Sequence, residues 1–431
     1  MRVCVFGLWH LGSVTAACLA AGGHQVVGLD FDEAMVASLQ AGAPPLFEPG
    51  LEELIKAGMV AGRLRFTDDP ADAVRGAEVI WVTYDTPVDA DDRADTAFVH
   101  RCIEAIMGDL APGALVLISS QLPVGSTHQI ETHYAAAWPD KPVTFACSPE
   151  NLRLGKAISV FMQPDRVIAG VRSDADRQRI SDLLQPFTTR IEWMSVESAE
   201  MTKHAINAFL ALSITYINEV AVLCEAVGAD AKEVERGLKS ESRIGPRAYL
   251  SPGGPFAGGT LARDITYLAE IGVRHALPTT LLSAVRRSND LHKAWVQRKL
   301  NALLPALQGA TVGVWGLTYK PGTDTLRRSS AVELCRWLAG QGAYVLAHDP
   351  AIHALPDELM TDIRLQSNPL AAAAGAQVLV VATEWPDYQT IAAADIVGTM
   401  ALPVVIDANR FLLSTLGSDA RIRYAAVGKA D

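Results

Sequence analysis

Cysteine is scarce in this chain and badly placed for chemistry that needs it in pairs. Six occur in 431 residues, at Cys4, Cys18, Cys102, Cys147, Cys224 and Cys335, with no CxxC pair and no zinc-type spacing. That argues against a disulfide-stapled scaffold and a structural zinc site, and predicts buried, reduced thiols. Positive charge is in deficit as well. Lys and Arg number 37 against 48 Asp and Glu, a formal net charge of -11, so no nucleic-acid partner is expected. An anionic ligand must be held by local Lys, Arg and backbone N–H groups against the global field. No uninterrupted apolar run reaches membrane-spanning length, so no membrane association is expected. No charged segment leading into an apolar one opens the chain, so a secretory signal is not expected and the expected location is cytoplasmic.

What is present is an apolar-rich sequence, 49% hydrophobic and 20% charged, long enough for two or three domains. Three regions separate. Over 1–195, short β-branched runs (Val3–Phe6, Gln25–Leu29, Val79–Thr83, Leu115–Ile118, Val143–Ala146, Val167–Ala169) alternate with Ala-rich helical stretches. Such alternation predicts βαβ units and a mainly parallel sheet. Over 196–302 the pattern is helical. Apolar residues from Met201 to Val227 recur without Pro or Gly until Gly228, and the stretch 251–259 must be a loop. Over 303–431 strand–helix alternation returns. Val314-Trp315-Gly316-Leu317 repeats Val5-Phe6-Gly7-Leu8, and Gly342…Asp349 repeats Gly23…Asp30. The expected fold is therefore α/β: two Rossmann-like, doubly wound domains joined by a long central helix and a helical middle domain. The segment Tyr424–Asp431 reads as a frayed tail.

A dinucleotide site needs a strand, a tight glycine turn and a helix whose N-terminus faces the pyrophosphate. The turn Gly7-Leu8-Trp9-His10-Leu11-Gly12 carries the first and last fingerprint glycines, with Trp9 in the middle position, and a helix is predicted over Ser13–Ala21. Asp30, eighteen residues after Gly12, suits ribose hydroxyls and repels a 2′-phosphate, which favours NAD over NADP. The alternative is a Rossmann-like domain that has lost its nucleotide.

Several longer motifs follow in order: Glu48-Pro49-Gly50-Leu51, Thr83-Tyr84-Asp85-Thr86-Pro87, Pro123-Val124-Gly125-Ser126-Thr127, Ser148-Pro149-Glu150-Asn151-Leu152-Arg153, Pro164-Asp165-Arg166, Lys203 with Asn207, Lys320-Pro321-Gly322-Thr323-Asp324 with Arg327, and Asp407-Ala408-Asn409-Arg410. Over nearly the whole chain they resemble the UDP-glucose/GDP-mannose dehydrogenase family. That family oxidises a nucleotide-sugar hydroxymethyl group to a carboxylate in two NAD-dependent steps, through a cysteine thioester.

The resemblance implies NAD contacts from Gly7, Trp9, His10, Leu11, Gly12, Asp30, Thr83, Thr86, Pro87 and Gln121. It implies a catalytic set of Lys203, Asn207, Asp264, Thr260 and Glu150. Lys203 and Asn207, four apart, share one helix face, and a cation with an amide suits charge developing on oxygen. Lys203 as a solvated helix lysine, and Asp264 as the N-cap of a helix Ile265–Ile271, are the competing readings. For the substrate, the resemblance implies Lys320 and Arg327 for the diphosphate, Arg243 reaching a second subunit of a homodimer, and Tyr249, Phe256 and Gly258 near the sugar or base.

The departures concern one half-reaction. Thr260 stands where the family has its nucleophilic cysteine, Gln121 replaces a threonine, and Leu154 replaces a second acid. A threonine hydroxyl is a far weaker nucleophile than a thiol and needs an adjacent base. The expected activity is a single two-electron oxidation of a nucleotide sugar. Full oxidation through an aldehyde hydrate, binding without turnover, and a 3-hydroxyacid dehydrogenase-like activity are the alternatives.

Overall fold

The computed structural model describes residues 1–87, 89, 94–150, 152–257 and 259–430. Contacts divide the chain into two units, Met1–Ile206 and Asn207–Asp431.

In the first unit eight strands form, and the β-branched runs in the middle of the sheet are buried on both faces, as a sheet covered by helices requires. The strands are β1 (Arg2–Phe6), β2 (Gln25–Leu29), β3 (Leu64–Thr67), β4 (Val79–Val82), β5 (Leu115–Ile118), β6 (Thr144–Cys147), β7 (Val167–Gly170) and β8 (Ile191–Met194). The sheet order is β3-β2-β1-β4-β5-β6-β7-β8. Neighbours are parallel except β6 and β7. The sequence does not announce β3 and β8. Leu-Arg-Phe-Thr alternates apolar and polar residues over only four positions, and Ile-Glu-Trp-Met has a single polar residue, too short in both cases for a period to register.

The second unit carries β9 (Thr311–Trp315), β10 (Tyr344–His348), β11 (Arg364–Leu365), β12 (Val378–Val381), β13 (Val404–Asp407) and β14 (Arg423–Ala425) in the order β11-β10-β9-β12-β13-β14, all parallel. This is the same six-strand order that β1–β6 adopt, the order of a dinucleotide-binding sheet. The predicted frayed tail is corrected here. Residues 423–425 form the edge strand, Val427 is fully buried, and Gly428 N–H donates to Glu225 at 2.9 Å. The apolar run Tyr424–Val427 supplies enough burial to hold it down.

The long helix spans Val196–Val227, as the periodicity predicts. Among the described residues it is the one helix long and apolar enough to cross a membrane, and 44% of its most apolar stretch is buried inside the protein. It is not an uninterrupted apolar run, since Glu200, Lys203, His204 and Glu219 lie within it. Its middle, between Lys203 and Glu219, carries the uncharged polar residues Asn207, Ser213, Thr215 and Asn218.

Candidate functional site

The glycine turn leaves β1 and enters the helix His10–Ala21, which begins three residues earlier than predicted. Gly7 has φ +98°, and a Cβ there would lie 2.7 Å from the Tyr84 backbone nitrogen. A Cβ on Gly12 would lie 1.7 Å from the Gly7 carbonyl oxygen. Both positions therefore demand glycine. Leu8 is buried, and its N–H donates to Asp30 Oδ2 at 2.6 Å. Asp30 Oδ1 also accepts from Asp32 N–H at 3.1 Å and the Tyr84 hydroxyl at 3.3 Å. The carboxylate predicted for the ribose is thus also what ties the loop to β2. Thr83 behaves likewise: fully buried, it donates to the Gly7 carbonyl at 2.7 Å.

Trp9 precedes the helix in an extended conformation, 43% exposed, and no side chain caps the helix start. The N–H groups of the first turn remain available to an anion, and the indole does not fill the turn. Leu11 is buried. His10 Nε2 lies 3.0 Å from Glu48 Oε2. Glu48 is buried and accepts from Gly155 N–H at 2.7 Å and Ala157 N–H at 2.8 Å. The Thr86 hydroxyl donates to the Gln121 carbonyl at 2.6 Å, and Pro87 is exposed. These residues fit NAD: two glycines at a close approach, an uncapped helix start and an acid at the end of β2.

Beyond the ends of β5 and β6 lies a cavity of about 20 Å³ whose lining includes Ser120, Gln121, Cys147, Glu150, Glu200 and Lys203. Lys203 is not a solvated helix lysine. Its side chain is 12% exposed, and Nζ donates to the Glu150 carbonyl at 2.6 Å, with Glu150 Oε1 at 3.7 Å. Glu150 Oε2 accepts from Leu152 N–H at 2.7 Å. Cys147 is the thiol in this lining. Burial, helped by the Glu200 charge, pushes its pKa well above the ordinary value, so it stays protonated and inert.

In the second unit Asn207 Nδ2 hydrogen-bonds Asp264 Oδ2, both side chains buried. The helix here runs Thr260–Arg274, so Asp264 lies in its second turn. The N-cap reading is corrected: Gly259, at φ +94°, turns the chain into the helix. Thr260 is the exposed first residue of that helix. The loop before it is clamped. Asn289 holds Phe256 N–H and carbonyl, each at 2.9 Å, and Asn409 Oδ1 accepts from Gly254 N–H at 2.6 Å. Phe256 is 7% exposed and packs with Ala208, Ala211 and Ile265, so it is core rather than a surface for a base. Tyr249 is exposed, and Arg243 is exposed and paired with Glu241. Gly258 lies outside the described residues.

Lys320 and Arg327 sit on the loop after β9, with Lys320 half-buried and Arg327 exposed. Asp349 holds the start of this loop as Asp30 holds the first, accepting Leu317 N–H at 2.7 Å and Thr318 N–H at 2.9 Å.

Family models match all three regions of the sequence. The NAD binding domain of the UDP-glucose/GDP-mannose dehydrogenase family matches residues 1–188, its central domain 197–291 and its UDP binding domain 313–413. The chain belongs to this family. It is 33% identical to the UDP-glucose 6-dehydrogenase of Rhizobium meliloti (strain 1021), with 100% of both chains covered. It is also 33% identical to that of Pseudomonas aeruginosa, covering 100% of this chain and 98% of the other. The UDP-glucose dehydrogenase structure from Pyrobaculum islandicum superposes with a TM-score of 0.87 at 30% identity, covering 100% and 98%. The family is one of NAD-dependent oxidoreductases, and its NAD-binding domain makes NAD the cofactor here.

Within this family frame, sequence reasoning missed the residues that only brace the site. Glu48 and Asn409 lie inside quoted motifs, but nothing in their spacing reveals a buried cap or a loop clamp. Ser120 and Glu200 carried no separate signal.

Proposed function

We propose that this chain oxidises one hydroxyl-bearing carbon of a UDP-sugar with NAD, in a single two-electron step that ends at an aldehyde or ketone. The reading is supported by Thr260, which the motif resemblance sets where the family carries its nucleophilic cysteine. No thiol replaces it: all six cysteines are buried. When bound, NAD supplies the acceptor for the hydride leaving the sugar carbon. Gly7, Gly12 and the uncapped start of the helix His10–Ala21 would hold its pyrophosphate, and Asp30 its ribose. Lys203, with its ammonium beside Glu150, offsets negative charge on the reacting oxygen. Asn207 and Asp264 form the other polar pair of the reading, and Lys320 and Arg327 would take the diphosphate. Neither of these two side chains has a hydrogen bond or ion pair among the described residues.

The experiment is a stoichiometric one. Purified chain, excess NAD and a panel of UDP-sugars including UDP-glucose are followed by NADH absorbance, and the product is weighed by mass spectrometry. One NADH per sugar and a loss of two hydrogens are expected. Two NADH and a carboxylate would overturn the single step.

We also propose a homodimer through the long helix. Phe209, Tyr216 and Leu223 recur every seven residues, with Val227 one turn on, and they are 65%, 49%, 65% and 77% exposed. A seven-residue apolar repeat on an exposed face fits pairing with another helix.

A further inference from the structure

The glycine turn leads into a buried pair that the oxidation proposed above does not use. His10, the first residue of the helix His10–Ala21, sets its ring Nε2 3.0 Å from Glu48 Oε2. The His10 side chain is 15% exposed and that of Glu48 1%. Glu48 Oε2 also accepts from Gly155 N–H, and Oε1 from Ala157 N–H. A carboxylate only accepts, so Nε2 is the ring nitrogen that carries a proton. The other nitrogen is then a lone pair in the neutral ring and a second donor in the charged ring. Nδ1 has no hydrogen bond or ion pair among the described residues. Covalent geometry keeps it three bonds from the His10 Cα, and its bonding direction points away from the one Nε2 aims at Glu48. It therefore stands beside the first helical turn, whose uncapped N–H groups suit the cofactor pyrophosphate.

We propose that NAD binds with uptake of a proton on His10 Nδ1, so that an imidazolium bridges the Glu48 carboxylate and the pyrophosphate. The proton comes from solvent, and no other bond forms or breaks. In the neutral ring the Nδ1 lone pair faces the arriving anion, and the Glu48 charge lies behind it. Protonation turns that lone pair into a donor and cancels the carboxylate. The groups around the ring offer no substitute. Asp30, at the end of β2, is a further anion, held by Leu8 N–H, Asp32 N–H and the Tyr84 hydroxyl. Cys18, on the same helix, is pushed up to about 12 by burial and by the Glu48 charge, so it stays neutral. The helix has no acidic residue in its first turn. Arg153 and Lys156, on the loop that contains Gly155, are exposed and screened by water. The proposal needs NAD and no particular sugar, so it stands or falls apart from the oxidation proposed above.

Calorimetric titration of NAD into the full chain, in buffers of different ionisation enthalpy, counts the protons. The parent is expected to take up about half a proton per NAD at about pH 7.5. By linkage its Kd should then rise roughly tenfold from about pH 6.5 to about pH 8.5. His10→Gln keeps an amide N–H for Glu48 and cannot titrate. It is expected to bind NAD without proton uptake, with Kd constant to about twofold over the same range. A parent whose binding enthalpy is the same in every buffer overturns the proposal, and so does an uptake that survives in His10→Gln. If His10→Gln fails to fold or to bind, the parent decides alone, through the nitrogen resonances of its labelled imidazoles in the NAD complex. A His10 ring protonated at both nitrogens is expected. A bare Nδ1 in that complex overturns the proposal.

Discussion

Thr260 opens a fifteen-residue helix, exposed and with no acidic residue in the first turn. A thiol placed there would feel the positive helix end, which lowers its pKa and makes it reactive. The native thiols are the reverse case. Burial pushes Cys4, Cys18 and Cys335 up to about 12 and Cys102 to about 11. The native parent should therefore resist iodoacetamide at neutral pH, and Thr260→Cys should take up one equivalent, read by intact mass. Labelling of the folded parent would contradict the burial described. At this scale the four-residue spacing of Lys203 and Asn207 on one helix face is legible in the sequence, while Asp264 comes from the family resemblance alone. The sequence does not disclose the bracing roles of Glu48 and Asn409, which become visible only once the backbone N–H groups they hold are in place.

Elements are joined by buried carboxylates at their ends. Glu48 receives two backbone N–H groups at the start of the helix Ala157–Met162 and also meets His10 in the glycine turn. Removing it strands those buried donors, so Glu48→Ala should lose about 2–4 kcal/mol of stability in urea titrations. It should also weaken NAD binding, measured by calorimetry, through the loosened turn. A loss under 0.5 kcal/mol would show that water replaces the carboxylate. The long helix makes a second prediction. Leu223→Asp puts a charge in the exposed apolar stripe and should halve the particle mass in light scattering, leaving the helical signal unchanged. A parent already monomeric at micromolar concentration would refute the dimer. The long helix is legible because thirty-two residues repeat one period many times. The four-residue strands β3 and β8 are not, and the two-residue β11 has no pattern of its own; its pairing with β10 defines it.

Over the whole molecule, pH acts through buried histidines. His24, His100, His292 and His348 are all held below the ordinary value of 6.5, burial being the main cause in each. Each therefore takes up its proton less readily in the folded chain than in the unfolded one. Their native pKa values are depressed, so this stability is complete above about 6.5 and is lost as pH falls from there toward the native values. Urea midpoints should drop between pH 7 and pH 5.5, with proton uptake on unfolding seen as a buffer-dependent enthalpy. A flat profile would refute the burial assigned to these rings. The doubled architecture was readable from the paired glycine and aspartate landmarks. The closing strand was not, since eight terminal residues look the same whether they fray or pair. That doubling bears on how the chain reaches its fold. Two sheets that share a six-strand order in one polypeptide offer many strands a near-equivalent wrong neighbour. On the ribosome the first sheet can close before the second has been made. From denaturant both form at once, and renaturation yield becomes a contest between the two that synthesis avoids.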